Sequence, residues 1–450
     1  MIKNLYTIGK VLQEKHPKYF KPWENPFPGK QDAKVICAKV NNKKFTGIEE
    51  EEFKDEMVDY YLFRPVEGKN GTNLVPTLRL NISKKEKDRK ENIRKVIKKV
   101  RQSINNYNHH FIEDQEIEKL KDALENHSFN PDYGYILTFK LNGSFFGEYE
   151  EYKDLFDQLA YKKYYKDSSS KNKLCSVKYE TQENIWGRVD TLGFSVNNKS
   201  FNRNGFDPKN SYKMFPVSEE AVKVLEGAKR FIFNNTEKQL SNHFVSGIYY
   251  IVLPHFIQYK DNNTIYDLVE DFFNKEFITT NKNNSIISTE KIFQEIINED
   301  KLSKADIYYD IFFYKQEQAQ FRIILQLNDV LPSQLKNILQ EKQNIETFYR
   351  KITYVEGKNN KNSHEFYLTF STIRHYFADN NHIHSFFYKI IESVFYGRPI
   401  NERELLKFLL KQIQSDYKND NYFDSSVKES FAIYYFLLIL KLFKNKLPME

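Results

Sequence analysis

Residues 84–101 (KKEKDRKENIRKVIKKVR) admit one regular structure. Ile93, Val96, Ile97, Val100 and Ile104 recur at helical spacing, so a helix gathers them on one face while a strand would scatter them over both. Ser83 followed by Glu86 fits a capping box at the start of that helix. The opposite face is then a ladder of cations: ten Lys/Arg stand against Glu86, Asp88 and Glu91, a surplus of seven that equals the formal net charge of the whole chain. Clustered cations neutralise phosphates without reading bases, so the first functional expectation is a polyanionic partner, foremost nucleic acid. Lys84, Lys85, Arg94, Lys98 and Arg101 are the phosphate candidates. A solvated surface helix without a ligand is the plainer alternative.

With 450 residues, 40% of them hydrophobic and 16% aromatic, the chain can bury one large core or two smaller ones, which excludes a mainly disordered state. Cys37 and Cys175 stand far apart and give no disulfide framework and no metal-binding set, which suits a reducing cytoplasm. Met1 opens a polar, amphipathic segment rather than a signal peptide. The most apolar run, 431–440 (FAIYYFLLIL), is shorter than the roughly 20 residues a bilayer span requires, so it reads as a buried or partner-facing helix and no membrane partner is expected. Asn, Lys, Ile, Tyr and Phe are all abundant, a bias that AT-rich coding produces by itself. Aromatic counts are therefore no evidence of base stacking.

Periodicity and turn residues predict a mixed α+β order. A helix over 2–15 leads to a Pro-rich loop at 21–29, and a strand over 34–40 turns at Asn41-Asn42. The acidic run 49–52 is expected to open a helix, where carboxylates complement the dipole. Strands over 60–64 and 78–82 flank a small polar loop, 67–73, whose Asn70 and Asn73 could approach a groove. After the basic helix come a helix over 114–126, a strand over 133–141 closed by Asn142-Gly143, and a helix through Tyr165. Residues 168–173 read as a flexible loop, and strand-like pieces fall within 185–201. The stretch 201–213 is a long basic loop in which Arg203, Lys209 and Lys213 are interleaved with Phe201, Phe206 and Tyr212, beside Asn202 and Asn204. Such a set can hold phosphate, stack on bases and reach base edges, or equally be a surface loop anchored by its aromatics. A helix over 218–233, a strand over 247–254 and an antiparallel hairpin over 305–327 follow. Helices start after Pro332 and cover 384–395, 401–414 and 425–443. The expected architecture is a mixed α+β body with antiparallel hairpins over 1–360 and a short helical module over 361–450.

Catalytic constellations are sparse. The chain has no GxxxxGK[ST], GxSxG or HExxH motif and no adjacent His-Asp pair. His375, His382 and His384 gather near Asp379, the closest approach to a metal site, but without a clear further ligand set. The expectation is a protein without enzymatic activity and without a cofactor.

Four blocks carry a family resemblance: 135–143 with Tyr149-Glu150-Glu151-Tyr152; 193–218, ending in Lys213-Met214-Phe215-Pro216-Val217-Ser218; 249–256; and 310–333 (DIFFYKQEQAQFRIILQLNDVLPS). In these the chain resembles the large subunit of subtype I-B CRISPR Cascade complexes. Asp329-Val330-Leu331-Pro332-Ser333 and the Phe215-Pro216 approach to a helix are the most specific parts. The resemblance implies a non-catalytic subunit that contacts the 5′-handle end of a guide CRISPR RNA, inspects a short protospacer-adjacent motif in double-stranded target DNA, and holds the opened strands of the R-loop. It also implies partner subunits that form the backbone, bind the handle and supply small helical proteins, with a separate helicase-nuclease degrading the DNA. Guide pairing would supply most of the specificity. Two departures stand out. Many relatives carry a CxxC pair near Cys175, whereas here the second place is Lys178, so a zinc ribbon is expected to be absent or metal-free. Relatives also tend to a longer helical C-terminal region, so the 431–440 face is expected to pack on the body of the chain or on a helical partner.

On this reading Asn70, Asn73, Asn202 and Asn204 are the candidate groove readers, with Arg203, Lys209 and Lys213 on phosphate or guide backbone. Two rivals stay open: a metal-dependent nuclease using His375, His382, His384 and Asp379, and a general nucleic-acid-binding protein outside CRISPR defence.

Overall fold

The computed structural model describes residues 2–29, 32–65, 74, 76–105, 111–191, 207–234, 243–245, 248–256, 263, 265–266, 307–317, 320–355, 368–379, 382–419 and 423–443. The candidates Asn70, Asn73, Asn202, Arg203 and Asn204 lie outside them. The chain opens with helix α1 (Ile2–Lys15) and divides into two compact units, Gln13–Arg230 and Met1–Leu12 with Phe231–Glu450.

The first unit is organised by a parallel strand pair. β1 (Ala33–Asn41) lies beside β4 (Gly134–Leu141), in register from Ala33 opposite Gly134 to Val40 opposite Leu141. β2 (Lys44–Glu52) flanks β1 and β3 (Leu78–Leu80) flanks β4, both antiparallel, and β5 (Ser144–Phe145) folds back on β4. Interior strands need both faces apolar, and Val35, Ile36, Cys37 and Ala38 are consecutive and all buried, as are Tyr135, Ile136 and Leu137. Tyr61, from the one-turn helix α2 (Val58–Tyr61), packs with Phe145, Val35 and Ile136. α3 (Glu86–Ile104) rests on β3 and on α4 (Asp114–Asn126), and α4 on β2. Farther along the chain, α5 (Glu150–Tyr165) and α6 (Glu219–Asn234) accompany a small sheet of β6 (Ser169–Leu174), β7 (Thr181–Trp186) and β8 (Val217–Ser218).

Several local expectations are corrected. Residues 49–52 continue β2, because their carboxylates face lysines of neighbouring strands: Glu50 and Glu52 reach Lys34, Glu49 reaches Lys39 and Lys140, and Glu51 reaches Lys140. Over 60–64 the chain ends α2 at Leu62, whose φ of 51° stops the helix, so no strand forms there. Residues 169–174 form β6 despite their loop-like composition, because pairing with β7 satisfies the backbone while nearly every side chain stays exposed. Pro208–Lys213 is a 3₁₀ helix rather than open loop.

In the second unit β9 (His243–Val245), β10 (Ile248–Phe256), β11 (Ile307–Glu317) and β12 (Gln320–Val330) make an antiparallel sheet in the order β12-β11-β10-β9. Helices α7 (Pro332–Val355), α8 (Phe370–His375), α9 (Ser385–Tyr396), α10 (Glu402–Lys418) and α11 (Phe423–Ile439) follow, with a two-residue ladder between β13 (Ala378–Asp379) and β14 (His382–Ile383) before α9. The α+β class with helices at the C-terminus is as the sequence indicates. One core joins Ile311, Phe313 and Leu327 of the strands to Ile345, Ile390, Leu405 and Phe436 of the helices, so the C-terminal helices are built onto the hairpin.

An ion pair with a buried carboxylate fastens that junction. Lys342 and Glu346, one turn apart on α7, pair at 2.9 Å, and Glu346 also accepts from the backbone N–H of Leu368. Glu346→Ala removes the acceptor of the buried Leu368 N–H and one partner of the partly buried Lys342 ammonium. A loss of about 1–3 kcal/mol is expected, read as a lowered denaturation midpoint with an unchanged denaturant slope.

Candidate nucleic-acid interface

α3 buries Ile93, Val96, Ile97, Val100, Ser103 and Ile104 and turns its charged face outward. The helix starts later than its sequence suggests. Lys85 occupies the N-cap without a side-chain cap, and Ser83 Oγ accepts from Lys85 N at 3.2 Å, so the expected capping box does not form.

The cation ladder is partly answered by carboxylates. Glu86–Lys90 and Glu91–Lys95 are spaced i,i+4 in the favourable order, at 2.7 and 2.6 Å. Arg94 reaches Glu125 at 3.3 Å, Arg101 bonds Glu118, and Lys84 lies 3.4 Å from Asp132. Exposed pairs of this kind contribute about 0–1 kcal/mol each, so a phosphate can displace the carboxylate. Lys85, Lys87, Lys98 and Lys99 are exposed and make no ion pair among the described residues. Lys87 and Lys99 therefore join the phosphate candidates.

Just before α3 the chain lines a polar groove of about 640 Å³, formed by Phe27, Arg79, Asn81, Ser83, Asn92 and Tyr133 among others. Its cation is held in place. The Arg79 guanidinium bonds the Pro26 carbonyl and lies 5.5 and 5.4 Å from the rings of Phe27 and Phe63. The chain passes from this groove directly into Lys84 and Lys85.

Of the second candidate set, Lys209 and Lys213 fall within the described residues. Both are exposed on the 3₁₀ helix, which Ser168 pins by donating to Lys209 O and accepting from Tyr212 N, both at 3.0 Å. Asp190 secures the chain on the other side of 192–206. Burial would raise its carboxyl, but Arg188 at 2.7 and 3.1 Å and Lys163 at 3.2 Å outweigh burial and hold it below the usual aspartate range.

The donor set near Cys175 does not fit a zinc ribbon. Cys175 is buried, and its Sγ accepts from Ser218 N at 3.3 Å at the start of α6. Lys178, in the second place, gives its ammonium to Glu220 at 2.7 Å and Gln182 at 3.1 Å. One thiol and a paired cation cannot make a tetrahedral thiolate site.

The histidine group is likewise engaged. His384 caps α9 by accepting from Phe386 N at 3.2 Å, and His375 stands near the half-buried Glu429 of α11, whose carboxyl burial pushes up. The side chains of Asp379 and His382 lie outside the described ones. Sequence reasoning missed a different group: His255, Asp310 and Asp329 bring ligand atoms within 4.8 Å of one another. They already satisfy each other, since His255 lies 3.0 Å from Asp329, and buried Asp310 accepts from Asn4 at 2.6 Å and from Asp329 N at 3.2 Å. Three strands supply these residues, and no local spacing could have signalled them.

Family models match the chain in order: the CRISPR-associated protein TM1802 N-terminal domain over residues 1–158, its central domain over 172–330 and its C-terminal domain over 368–450. The chain belongs to the CRISPR-associated TM1802 family. No curated protein matches it. Within that family the basic helix and the polar groove fall in the N-terminal domain, and Lys209 and Lys213 in the central one.

Two outcomes are expected. Lys98→Glu with Lys99→Glu, both on an exposed face, should weaken nucleic-acid binding and flatten the plot of log affinity against log salt by about 0.9 for each phosphate no longer neutralised, with an unchanged melting temperature. For Asp190, whose pKa is lowered on folding, the stabilisation is full above the unfolded value near ~3.9 and is lost as pH falls through the folded value. Asp190→Asn should therefore lower stability at neutral pH and reduce the acid-side slope of the stability curve; parallel curves for the two proteins would refute the assignment.

Proposed function

We propose that this chain is a non-catalytic large subunit of a type I-B RNA-guided surveillance complex. In this reading it contacts the handle end of the guide RNA, recognises the short motif beside the target in duplex DNA, and stabilises the opened strands before a helicase-nuclease is recruited. The observation that carries it is the match of N-terminal, central and C-terminal CRISPR-associated domains in order along the chain. Guide pairing supplies sequence specificity in such complexes, leaving the protein to hold backbone and test a short motif. The exposed lysines of α3 and of the 3₁₀ helix suit the first task.

A partner-facing surface also fits. α11 buries Ala432, Ile433, Phe436 and Leu437 in the core and leaves Phe431, Tyr435 and Leu438 exposed at 63%, 48% and 45%. Those three are spaced i, i+4, i+7 and form one stripe, which suits a helical partner subunit.

The deciding experiment recovers the tagged chain from its native cell and identifies bound RNA and co-purifying proteins. Short RNAs sharing one repeat-derived handle, together with CRISPR backbone subunits, are expected. Heterogeneous RNA or none, without those subunits, would overturn the proposal, and so would metal-dependent DNA cleavage by the purified chain that His382→Ala abolishes.

A further inference from the structure

The parallel pairing of β1 with β4 ends both strands at the same edge of the sheet, and each strand then reverses in a tight turn. β1 reverses through Asn42 and Lys43, with φ of 47° and 64°, and β4 through Asn142 and Gly143, with φ of 49° and 95°. Positive φ at both central positions is the left-handed turn whose twist matches a hairpin, and it calls for Asn or Gly at little cost. The two turns are a hundred residues apart in sequence but bonded to each other. Asn142 N donates to Val40 O at 2.9 Å, and Asn142 Oδ1 accepts from Asn42 N at 3.2 Å.

Between them lies a polar pocket of about 570 Å³, lined by Lys39, Asn41, Asn42, Lys140, Asn142 and Gly143, with Glu49 at its side. Asn142 commits its amide oxygen to the neighbouring turn, and its Nδ2 has no acceptor among the described residues. The amides of Asn41 and Asn42 likewise have no hydrogen-bond partner among them. Charge is graded along this edge. Lys39 and Lys140 are answered by Glu49 and Glu51 behind the turns, whereas Lys43 and Lys44, at the tip, are exposed and make no ion pair among the described residues. Lys44 acts on Glu116 only at a distance, and that carboxylate is bonded to Lys119 and to Phe45 N.

We infer that these twin turns are a contact site for duplex DNA, with Lys43 and Lys44 on phosphates and the asparagine amides at base edges in a groove. The inference rests on the proposed function and assigns part of it to a place. The chemistry selects the ligand form. Single strands are held by stacking on aromatic rings, and no aromatic side chain lines this pocket. A duplex offers its base edges in grooves and its phosphates in two rails, which amide groups and unpaired ammonium groups match. Because the turns are braced by each other and by the sheet, the amides are positioned before DNA arrives.

The test uses substitutions that the turns tolerate. Asn42→Gly with Asn142→Gly keeps the positive-φ backbone and removes the amides, and Lys43→Ala with Lys44→Ala removes the tip charge. Duplex binding is measured for the full chain alone and assembled with guide RNA and partner subunits, with thermal melting as the fold control. The glycine pair should weaken duplex affinity about tenfold or more, the order expected when one amide no longer bonds a base edge, while guide recovery and single-strand binding hold. The alanine pair should flatten the salt dependence. Duplex affinities within twofold of the parent in both variants, an equal weakening on single strands, or a parent chain that does not bind duplex would overturn the assignment. Failure of the surveillance-complex reading shows separately, as absence of guide RNA and subunits from the parent pull-down, and the duplex comparison on the isolated chain still decides the turns.

Discussion

The first unit depends on β1 and β4 lying side by side in parallel. Such a pair cannot be joined by a turn; it needs a long connection, and here the chain between Asn41 and Gly134 supplies β2, β3, α3 and α4, which then cover the pair's edges. The same pairing makes Val35–Ala38 and Tyr135–Leu137 interior on both faces, so a single inserted charge there would have no exit to water. It also fixes where the polar features stand. Two strands that run the same way end together, which brings the Asn42-Lys43 and Asn142-Gly143 turns to one edge, and the connection leaves the charged face of α3 turned to solvent.

Elements with a pattern of their own were legible. The helix Asp114–Asn126 and the hairpin of β11 and β12 follow directly from periodicity and turn residues. So does the buried stripe of α3, because a lysine-rich helix can sink only its Ile and Val positions. What escaped depends on partners remote in sequence. Four consecutive glutamates suggest a helix start until Lys34 and Lys140 are seen on adjacent strands, and Lys140 is 89 residues from the Glu51 it answers. Residues 169–174 carry no apolar alternation because their strand is exposed on both faces, so only the ladder to β7 identifies them. The parallel register of β1 with β4 left no local trace at all.

The candidate site divides in the same way. That α3 is basic was evident, but which of its cations are uncommitted was not, because Glu118, Glu125 and Asp132 come from elsewhere in the chain. Lys98 stands out from sequence alone, whereas Lys87 and Lys99 emerge only when the pairs are seen. The Cys175 region makes the converse point. A lysine in the second position of a CxxC-like spacing leaves a single thiol, and what holds this segment shows only in the fold: an ion pair to Glu220 and a thiol hydrogen bond to Ser218 tie the β6–β7 turn to the start of α6. A zinc ion closes such a turn by coordination and contributes folding energy outright. Here the same junction is closed by two weaker interactions.

An arrangement of this kind suits a protein whose specificity is supplied by a nucleic acid. Where base pairing chooses the sequence, the protein's contacts need to be numerous, individually modest and tolerant of sequence, because each must be made again on every target. Exposed lysines with carboxylate neighbours meet that requirement. The pair is worth little in water, so exchanging a carboxylate for a phosphate costs little, and the carboxylates limit indiscriminate binding to any polyanion. A bare ladder would bind everything; a fully paired one would bind nothing. Helix α3 lies between these limits, with Lys85, Lys87, Lys98 and Lys99 uncommitted beside Lys84, Arg94 and Arg101, whose partners can be displaced.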